Sequence, residues 1–224
     1  MITARTNPTL KLVRKLIAQK RKRDELGLFV VEGEDLVGAA SAAGIEPVEL
    51  LVAGETVEAE LLAELSTLPH PARTIGVYRR ADLPRGERET TLALWRVGDP
   101  GNVGTLLRAA DAFGAAIALS PGCADPLGPK ALRASVGAIF RVPLLALDDA
   151  PKPWVALAAH GGRPMHALEL AGRMTFLLGA EREGLPADLV AQSDEVATIV
   201  TPGAAESLNV AAAAAIALYE RSRR

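Results

Sequence analysis

Short apolar runs alternate with helical segments along this 224-residue chain, and this alternation limits its fold more than any other feature. In the second half the apolar runs predict strands, and the segments between them have the spacing and composition of helices. Strands joined by helical crossovers pair in parallel, because a parallel pair needs a long connection. The sequence therefore predicts an α/β fold with a mostly parallel sheet. The predicted strands are 91–97, 115–120, 143–147, 165–170, 174–179 and 195–200, and the predicted helices include 102–113, 154–159, 188–191 and 207–221.

The first ninety residues predict a smaller α/β unit in front of this sheet. Asn7 and Pro8 suit the N-cap and the first position of an amphipathic helix, and alternating strands and helices follow it. The segment 79–90 is charged, contains proline and glycine, and lacks periodicity, so we interpret it as a linker. A long surface loop inside one domain is the alternative. The predicted domains are residues 1–88 and 89–224.

Basic residues are concentrated at the N-terminus, although the net charge of the whole chain is −2. No acidic residue precedes Asp24, and the same stretch contains the amphipathic helix. An excess of positive charge of this kind favours a surface that contacts phosphates, and a solvated helix face is the alternative. The residues predicted to contact phosphates are Arg14, Lys15, Lys20, Arg21, Lys22 and Arg23.

Cysteine and histidine usage excludes several kinds of site. Cys123 is the only cysteine, so no disulfide forms within the chain, and the three histidines lack metal-ligand spacing. We therefore expect no metal. No apolar run is long enough to cross a bilayer, and the N-terminus lacks the apolar segment of a signal peptide. We expect a cytoplasmic protein with no membrane partner.

A glycine-rich turn between a predicted strand and a predicted helix carries the first polar cluster. Its Gly98, Gly101 and Gly104 are spaced GxxGxxG, which is not the GxGxxG of a dinucleotide fold, and no GK[ST] follows. This spacing disfavours a nucleotide-dependent oxidoreductase, which is a rival interpretation of the alternation. Asn102 is interpreted as the N-cap of the helix. Arg108 lies six residues further along that helix, among apolar residues.

Two later segments also carry polar residues beside glycines or helix starts. Glu181 follows a predicted strand in a Gly-x-Glu-x-x-Gly turn, at the carboxyl edge of the sheet where ligands bind preferentially. Satisfying the N–H groups of its own loop is an alternative role for this carboxylate. Ser207 is interpreted as the N-cap of the last helix, with Asn209 in the first turn.

Jointly, these segments resemble the SpoU/TrmH branch of the SPOUT RNA ribose 2′-O-methyltransferases. The first family motif resembles residues 102–114, the second is similar to residues 178–185, and the third is similar to residues 206–210. The matching positions of the first motif are Asn102, Gly104, Arg108, Ala110, Phe113 and Gly114. The resemblance is specific because three motifs agree in order and spacing.

The resemblance implies a fold, a cofactor and an assembly. The family has a parallel-sheet SPOUT methyltransferase domain with a C-terminal trefoil knot, preceded here by a small α/β RNA-binding domain that residues 27–37 match best. Members of the family bind S-adenosylmethionine among the knot loops and form homodimers whose sites are completed near the partner subunit. This chain has Ile-Val-Thr at 199–201, where the family usually has Ile-Pro-Met. The implied cofactor-binding residues are Leu178, Gly179, Glu181, Ile199, Thr201, Leu208 and Asn209.

The implied activity is methylation of a ribose 2′-oxygen in RNA, and the implied catalytic residues are Arg108, Asn102, Glu181, Ser207 and Asn209. The family assigns the motif arginine as the base. Because a guanidinium has a pKa above about 12, we hypothesise that Arg108 instead holds an RNA phosphate and stabilises the developing alkoxide. Asn102 and Glu181 would brace it, and Ser207 would orient it. The two-domain layout favours 23S ribosomal RNA over transfer RNA, and a non-catalytic RNA-binding protein on the same scaffold is the other alternative.

Overall fold

The computed structural model describes residues 1–204 and 206–224, which form two β-sheets with their flanking helices. The N-terminal part contains α1 (Pro8–Ala18), α2 (Lys20–Leu26), β1 (Leu28–Glu32), α3 (Glu34–Ala42), β2 (Glu49–Val52), α4 (Ala59–Ala63) and β3 (Thr74–Arg79). The C-terminal part contains β4 (Thr90–Leu94), α5 (Pro100–Ala112), β5 (Ala116–Leu119), α6 (Pro129–Ser135), β6 (Leu144–Ala146), β7 (Trp154–Leu157), β8 (Arg163–Pro164), β9 (Met174–Leu178), α7 (Ala187–Ala191), β10 (Glu195–Thr198) and α8 (Val210–Ser222).

Helix α1 begins where the sequence predicts. Asn7 is its N-cap and accepts a hydrogen bond from the Thr9 N–H at 2.8 Å, and Pro8 is the first helical residue. The helix buries Leu10, Val13 and Leu16 and packs against β1. The N-terminal sheet is antiparallel, in the order β1-β3-β2. This helix therefore covers a small three-stranded sheet and leaves its basic side chains outward.

The C-terminal sheet has the strand order β6-β5-β4-β9-β7-β10-β8, and every neighbouring pair is parallel. This arrangement confirms the predicted parallel sheet. All residues of the central strands β4 and β9 are buried, as expected for a sheet covered on both faces. Helix α5 packs against both α6 and α8. Strand order does not trace how the connections pass one another, so the trefoil knot stays a prediction.

Two predicted elements in the C-terminal part are wrong. The predicted helix 154–159 is strand β7, which pairs with β9 on one side and β10 on the other. Its apolar run is too short to distinguish a helical period from a strand, and tertiary pairing decides. The predicted strand 165–170 begins instead as a 3-10 turn over Met165–Ala167. Met165 and Leu168 are both buried, and this spacing of three fits a turn rather than a strand.

The two sheets meet in one hydrophobic core, which we call the seam. Phe29 and Tyr78 from the N-terminal sheet pack against Phe140, with ring centroids 5.6–6.3 Å apart. The Tyr78 hydroxyl is buried without a hydrogen-bond partner in the described part of the chain, and burial raises the pKa of Tyr78 to about 12. The sheets are separate but their cores are continuous, so the division at residue 88 stays a prediction.

A buried ion pair also crosses the seam. Arg23 donates from Nε and Nη2 to Asp125 Oδ2 at 2.9 and 2.7 Å, and from Nη1 to the carbonyl oxygens of Leu16 and Ile17. Only 7% of the Arg23 side chain is exposed. This geometry corrects the interpretation of Arg23 as an RNA contact, because its guanidinium is enclosed and its donors are used within the protein. Arg23 instead holds α2 against the loop that follows β5.

Candidate active site

A cavity of about 740 Å³ lies at the carboxyl ends of β7, β9 and β10, beside the segment that leads into α8. This volume is in the ordinary range for small-molecule sites. The structure brings all seven predicted cofactor-binding residues to its lining, together with Ser207. They are Leu178, Gly179, Glu181, Ile199, Thr201, Leu208 and Asn209. Residues from the second and third sequence motifs therefore surround one space, at the sheet edge that the sequence predicts.

The loop after β9 passes very close to the end of that strand. A Cβ atom added at Gly179 would lie 2.1 Å from the carbonyl carbon of Gly184 and 2.3 Å from the Leu185 nitrogen. The Gly184 N–H donates to the Ala180 carbonyl at 2.9 Å, and Gly184 has a left-handed φ of 67°. Both glycines are therefore required by the backbone path, which places peptide groups along the cavity.

An amide–carboxylate cluster of Asn102, Glu181 and Asn209 joins the three sequence motifs. Asn102 Nδ2 donates to Glu181 Oε1 at 2.8 Å, and Asn209 Nδ2 donates to Asn102 Oδ1 at 3.2 Å. Glu181 also accepts longer contacts of 3.4 Å from the N–H groups of Gly98 and Asp99. Because the carboxylate only accepts, it fixes which way both amides point.

Two helix N-caps differ from the sequence-based interpretation, and the first difference leaves the Asn102 side chain available for this cluster. Asp99, not Asn102, caps α5 and accepts from the Asn102 N–H at 2.9 Å. Asn209, not Ser207, caps α8 and accepts from the Ala211 N–H at 2.8 Å. Asn209 thus anchors a helix through Oδ1 and contacts Asn102 through Nδ2. Ser207 is exposed on the cavity wall.

The carboxylate of Glu181 is held ionised. Its partial burial is the largest single influence and raises the pKa, but the hydrogen bonds from Asn102, from its own N–H and from Gly98 and Asp99 together outweigh it. The pKa of Glu181 therefore lies below its usual value. A low pKa makes Glu181 a weak proton acceptor at neutral pH and suits it to holding neighbouring donors.

Asp99 and Lys130 were missed by the sequence interpretation. Lys130 donates to Asp99 Oδ2 at 2.9 Å, and this hydrogen bond is the main cause of the lowered pKa of Asp99. The signal was the Asp-Pro pair at 99–100, since Asp is a preferred N-cap and Pro a preferred first helical residue. Asp99 therefore positions the start of α5 and, through it, Asn102.

Arg108 is exposed and does not line the cavity of its own chain in the described residues. Six residues along a helix correspond to about 120° of net rotation, so Arg108 leaves α5 from a different side than Asn102. The structure therefore does not bring Arg108 into the amide–carboxylate cluster. Its catalytic role stays a prediction.

The remaining predicted phosphate contacts lie on the outer surface of α1 and α2. Arg14, Lys15, Lys20 and Arg21 are exposed and Lys22 is half-buried. Lys20 pairs with Asp24 and Lys22 with Glu25, so part of this charge is neutralised locally. Arg14, Lys15 and Arg21 form no ion pair with any residue the structure describes. These three are the strongest remaining predicted RNA contacts.

The described residues contain neither a cluster of three metal-ligating side chains nor a helix long and apolar enough to cross a membrane.

Comparison with known proteins identifies the family. Residues 89–219 match the SpoU rRNA Methylase family, and residues 7–81 match the MRM3-like substrate binding domain. The chain belongs to the SpoU rRNA methylase family. It is 29% identical to the 23S rRNA (guanosine(2553)-2′-O)-methyltransferase RlmP of Bacillus subtilis, over 92% of both chains.

Solved structures are similar over almost the whole chain. An AdoMet-bound rRNA methyltransferase from Sinorhizobium meliloti is 30% identical, with a TM-score of 0.87 over 99% of this chain and 97% of that one. The AdoMet complex of the SpoU methyltransferase AviRb from Streptomyces viridochromogenes is 25% identical, with a TM-score of 0.84 over 97% of both chains. These similarities confirm the resemblance and the fold class inferred from the motifs.

Proposed function

We propose that this chain transfers a methyl group from S-adenosylmethionine to a ribose 2′-oxygen of ribosomal RNA, with 23S ribosomal RNA as the substrate. The observation that carries the proposal is the amide–carboxylate cluster, which joins the three family motifs at the edge of the cavity. RlmP and AviRb, which are similar over more than nine-tenths of the chain, support the reaction and the cofactor. With ribosomal RNA as its substrate, the protein is a cytoplasmic enzyme.

The cavity fits the cofactor. Its volume suits a nucleoside-sized ligand, and the glycine at 179 leaves no side chain between the strand end and the next loop. Leu178 and Ile199 supply apolar walls, while peptide groups of the loop after β9 supply polar contacts. When bound, S-adenosylmethionine supplies an electrophilic methyl group on its sulfonium. Val200 and Thr201 stand where the family usually has Pro-Met, and Val200 is among the exposed apolar residues of the lining.

The residues of the chain have separate tasks in this proposal. Glu181 stays ionised and fixes Asn102 and Asn209, and Ser207 faces the cavity as an additional donor and acceptor. Arg108 binds the RNA phosphate and stabilises the negative charge that develops on the 2′-oxygen while the hydroxyl proton passes to solvent water, because a guanidinium keeps its own proton at neutral pH. The lowered pKa of Glu181 makes that carboxylate a weaker proton acceptor than an ordinary glutamate.

We also propose that the chain acts as a homodimer. Helix α8 exposes Ile216 and Tyr219, and Phe113 is exposed at the end of the adjacent α5. Exposed apolar side chains on two helices that pack together are candidates for an association surface. Arg108 is exposed on α5 and does not line the cavity of its own chain, so a second copy packed against these helices completes the site, as the family resemblance implies. Light scattering measures the mass of the wild-type protein and of Tyr219→Asp. We expect the mass of a dimer for the wild type and a lower mass for the variant.

The test of the function combines two measurements. Isothermal titration with S-adenosylmethionine detects the cofactor, and labelled cofactor incubated with separated ribosomal and transfer RNA shows which RNA receives the methyl group. We expect binding and label in 23S ribosomal RNA. Label in transfer RNA only would replace the proposed substrate with the alternative one. RNA binding without cofactor binding would instead identify a non-catalytic RNA-binding protein.

A further inference from the structure

Arg96 has a backbone conformation that arginine rarely adopts. Its φ is 52°, in the left-handed region that favours glycine. The residue lies two positions after the end of β4, and three hydrogen bonds hold the turn in place. Its own N–H donates to Ser120 Oγ at 2.9 Å, the preceding Trp95 N–H donates to the Leu178 carbonyl, and the Ala124 N–H donates to the following Val97 carbonyl. A strained residue held by this many hydrogen bonds is typical of functional loops.

The turn sends the Arg96 side chain across Gly122. A Cβ atom added at Gly122 would lie 3.3 Å from Arg96 Cγ and 3.4 Å from Arg96 Nε, so the stem of the arginine rests on the glycine backbone. Arg96 is nevertheless exposed, and its guanidinium forms no ion pair with a carboxylate of the described residues. A supported stem with an open guanidinium is pre-organised to bind an anion from outside the chain.

Arg96 lies between the basic helices and the cavity. Two residues further along the chain, the Gly98 N–H contacts Glu181 at the edge of the cavity. On the other side, the loop that supports Arg96 continues to Asp125, which holds Arg23 of α2. A continuous set of contacts at the carboxyl edge of the sheet therefore runs from α2 through Arg96 to the amide–carboxylate cluster.

We propose that Arg96 binds a backbone phosphate of the substrate RNA, next to the nucleotide whose ribose enters the site. This inference rests on the proposed function, because it needs RNA at this edge. A guanidinium forms paired hydrogen bonds with phosphate oxygens and is weakly hydrated, so it suits a phosphate better than an ammonium does. The left-handed turn positions that guanidinium. A glycine at this position would adopt the same backbone conformation without strain, so the backbone does not explain the arginine.

Three substitutions separate the phosphate contact from a role in the turn. Arg96→Ala removes the guanidinium and keeps the backbone strain, Arg96→Gly removes both, and Arg96→Lys keeps the charge without the paired geometry. Arg163→Ala is the control, because Arg163 is an exposed arginine paired with Glu195 at the start of β10, away from the carboxyl edge. The probe is in vitro transcribed 23S ribosomal RNA, in binding and in methylation assays.

For Arg96→Ala and Arg96→Gly we expect KM for the transcript and Kd to rise about tenfold, with a smaller effect on kcat. The slope of log affinity against log salt should fall by about 0.7–0.9, the value for one lost phosphate contact. Arg96→Lys should keep the wild-type slope with an intermediate Kd. Arg96→Gly should melt at or above the wild-type temperature, so weaker binding by this variant is not a folding defect.

An Arg96→Gly variant with wild-type Kd and salt slope would overturn the proposal and leave Arg96 as a turn residue. An equal loss for Arg163→Ala would overturn it as well, because the effect would then be one of general charge. Failure of the proposed function looks different. In that case the wild-type protein transfers no methyl group to the transcript, while the direct binding measurements still decide the role of Arg96.

Discussion

The buried ion pair at the seam and the amide–carboxylate cluster are both built around a hydrogen-bonded carboxylate, but their side chains differ in exposure to solvent. At the seam, Arg23 is 7% exposed and its guanidinium donates only to protein oxygens. In the cluster, Glu181 and Asn209 are exposed on the lining of a cavity. Both regions contain polar residues that a hydrophobic core does not need. Burial, rather than residue type, therefore separates a polar group that stabilises the fold from one that is available to a ligand.

The largest effect on stability is expected at the seam. Arg23→Ala leaves the Asp125 carboxylate largely buried without its partner, and we expect the free energy of unfolding to fall by about 3–5 kcal/mol in urea titrations. Arg163→Ala, which removes an exposed pair, is the control and should cost less than about 1 kcal/mol. Wild-type stability of Arg23→Ala together with weakened RNA binding would restore Arg23 as an RNA contact.

The next effect is expected at the cavity. Gly179→Ala forces a Cβ atom to within 2.1 Å of the Gly184 backbone, so we expect a loss of about 1–3 kcal/mol of stability. The displaced loop should also abolish S-adenosylmethionine binding measured by titration calorimetry. Gly203→Ala is the matched control, because Gly203 lines the same cavity and an added Cβ there meets nothing within 4 Å. Equal cofactor affinity for both variants would contradict the close-packed path of the loop.

A smaller effect of opposite sign is expected back at the seam. The Tyr78 hydroxyl is buried without a partner among the described residues, so Tyr78→Phe removes a polar group that burial penalises. We expect this variant to gain about 1 kcal/mol of stability in urea titrations. Phe29→Leu serves as a control that perturbs the same aromatic cluster without touching a polar atom, and it should lose stability. A loss of stability in Tyr78→Phe would mean that the hydroxyl has a partner.

The smallest effect concerns the pH dependence of the cluster. The pKa of Glu181 in the folded protein is below its usual value of 4.5, so its ionised form stabilises the folded state above that pH. This contribution is lost as the pH falls through the lowered pKa. Melting temperatures of wild type and Glu181→Gln should therefore converge in acid and differ near neutral pH. The difference is small because Glu181 is exposed to solvent. Parallel curves at every pH would show that the ionised carboxylate does not hold the cluster.

The parallel sheet and the cavity residues could be predicted from the sequence because both depend on local patterns. Alternation predicted the central strands, the glycines beside Glu181 marked the sheet edge, and the start of the last helix marked Asn209. The strand β7 was missed, since its pairing with β9 and β10 is not visible in four apolar residues. The burial of Arg23 was missed for a similar reason, because its partner lies 102 residues away.

The position of Arg108 relative to the cavity could not be predicted from the sequence for a different reason. The first motif correctly predicted that Arg108 shares a helix with Asn102, but helical rotation directs the two side chains apart. Whether Arg108 meets a cavity depends on a second copy of the chain, and a single sequence does not encode that geometry in its spacing. Mixing inactive Arg108→Ala with inactive Asn209→Ala tests this point, and we expect regained activity of about a quarter of wild type if Arg108 serves the partner's cavity in a two-fold dimer.

The proposed reaction is tested by single-turnover methyl transfer from labelled S-adenosylmethionine to in vitro transcribed 23S ribosomal RNA, with mapping of the labelled ribose. We expect the wild-type protein to label one 2′-oxygen and Arg108→Ala to lose about a thousandfold or more in rate while binding the cofactor normally. Absence of label with the wild-type protein would contradict the proposed reaction, and equal rates for the two proteins would contradict the proposed role of Arg108.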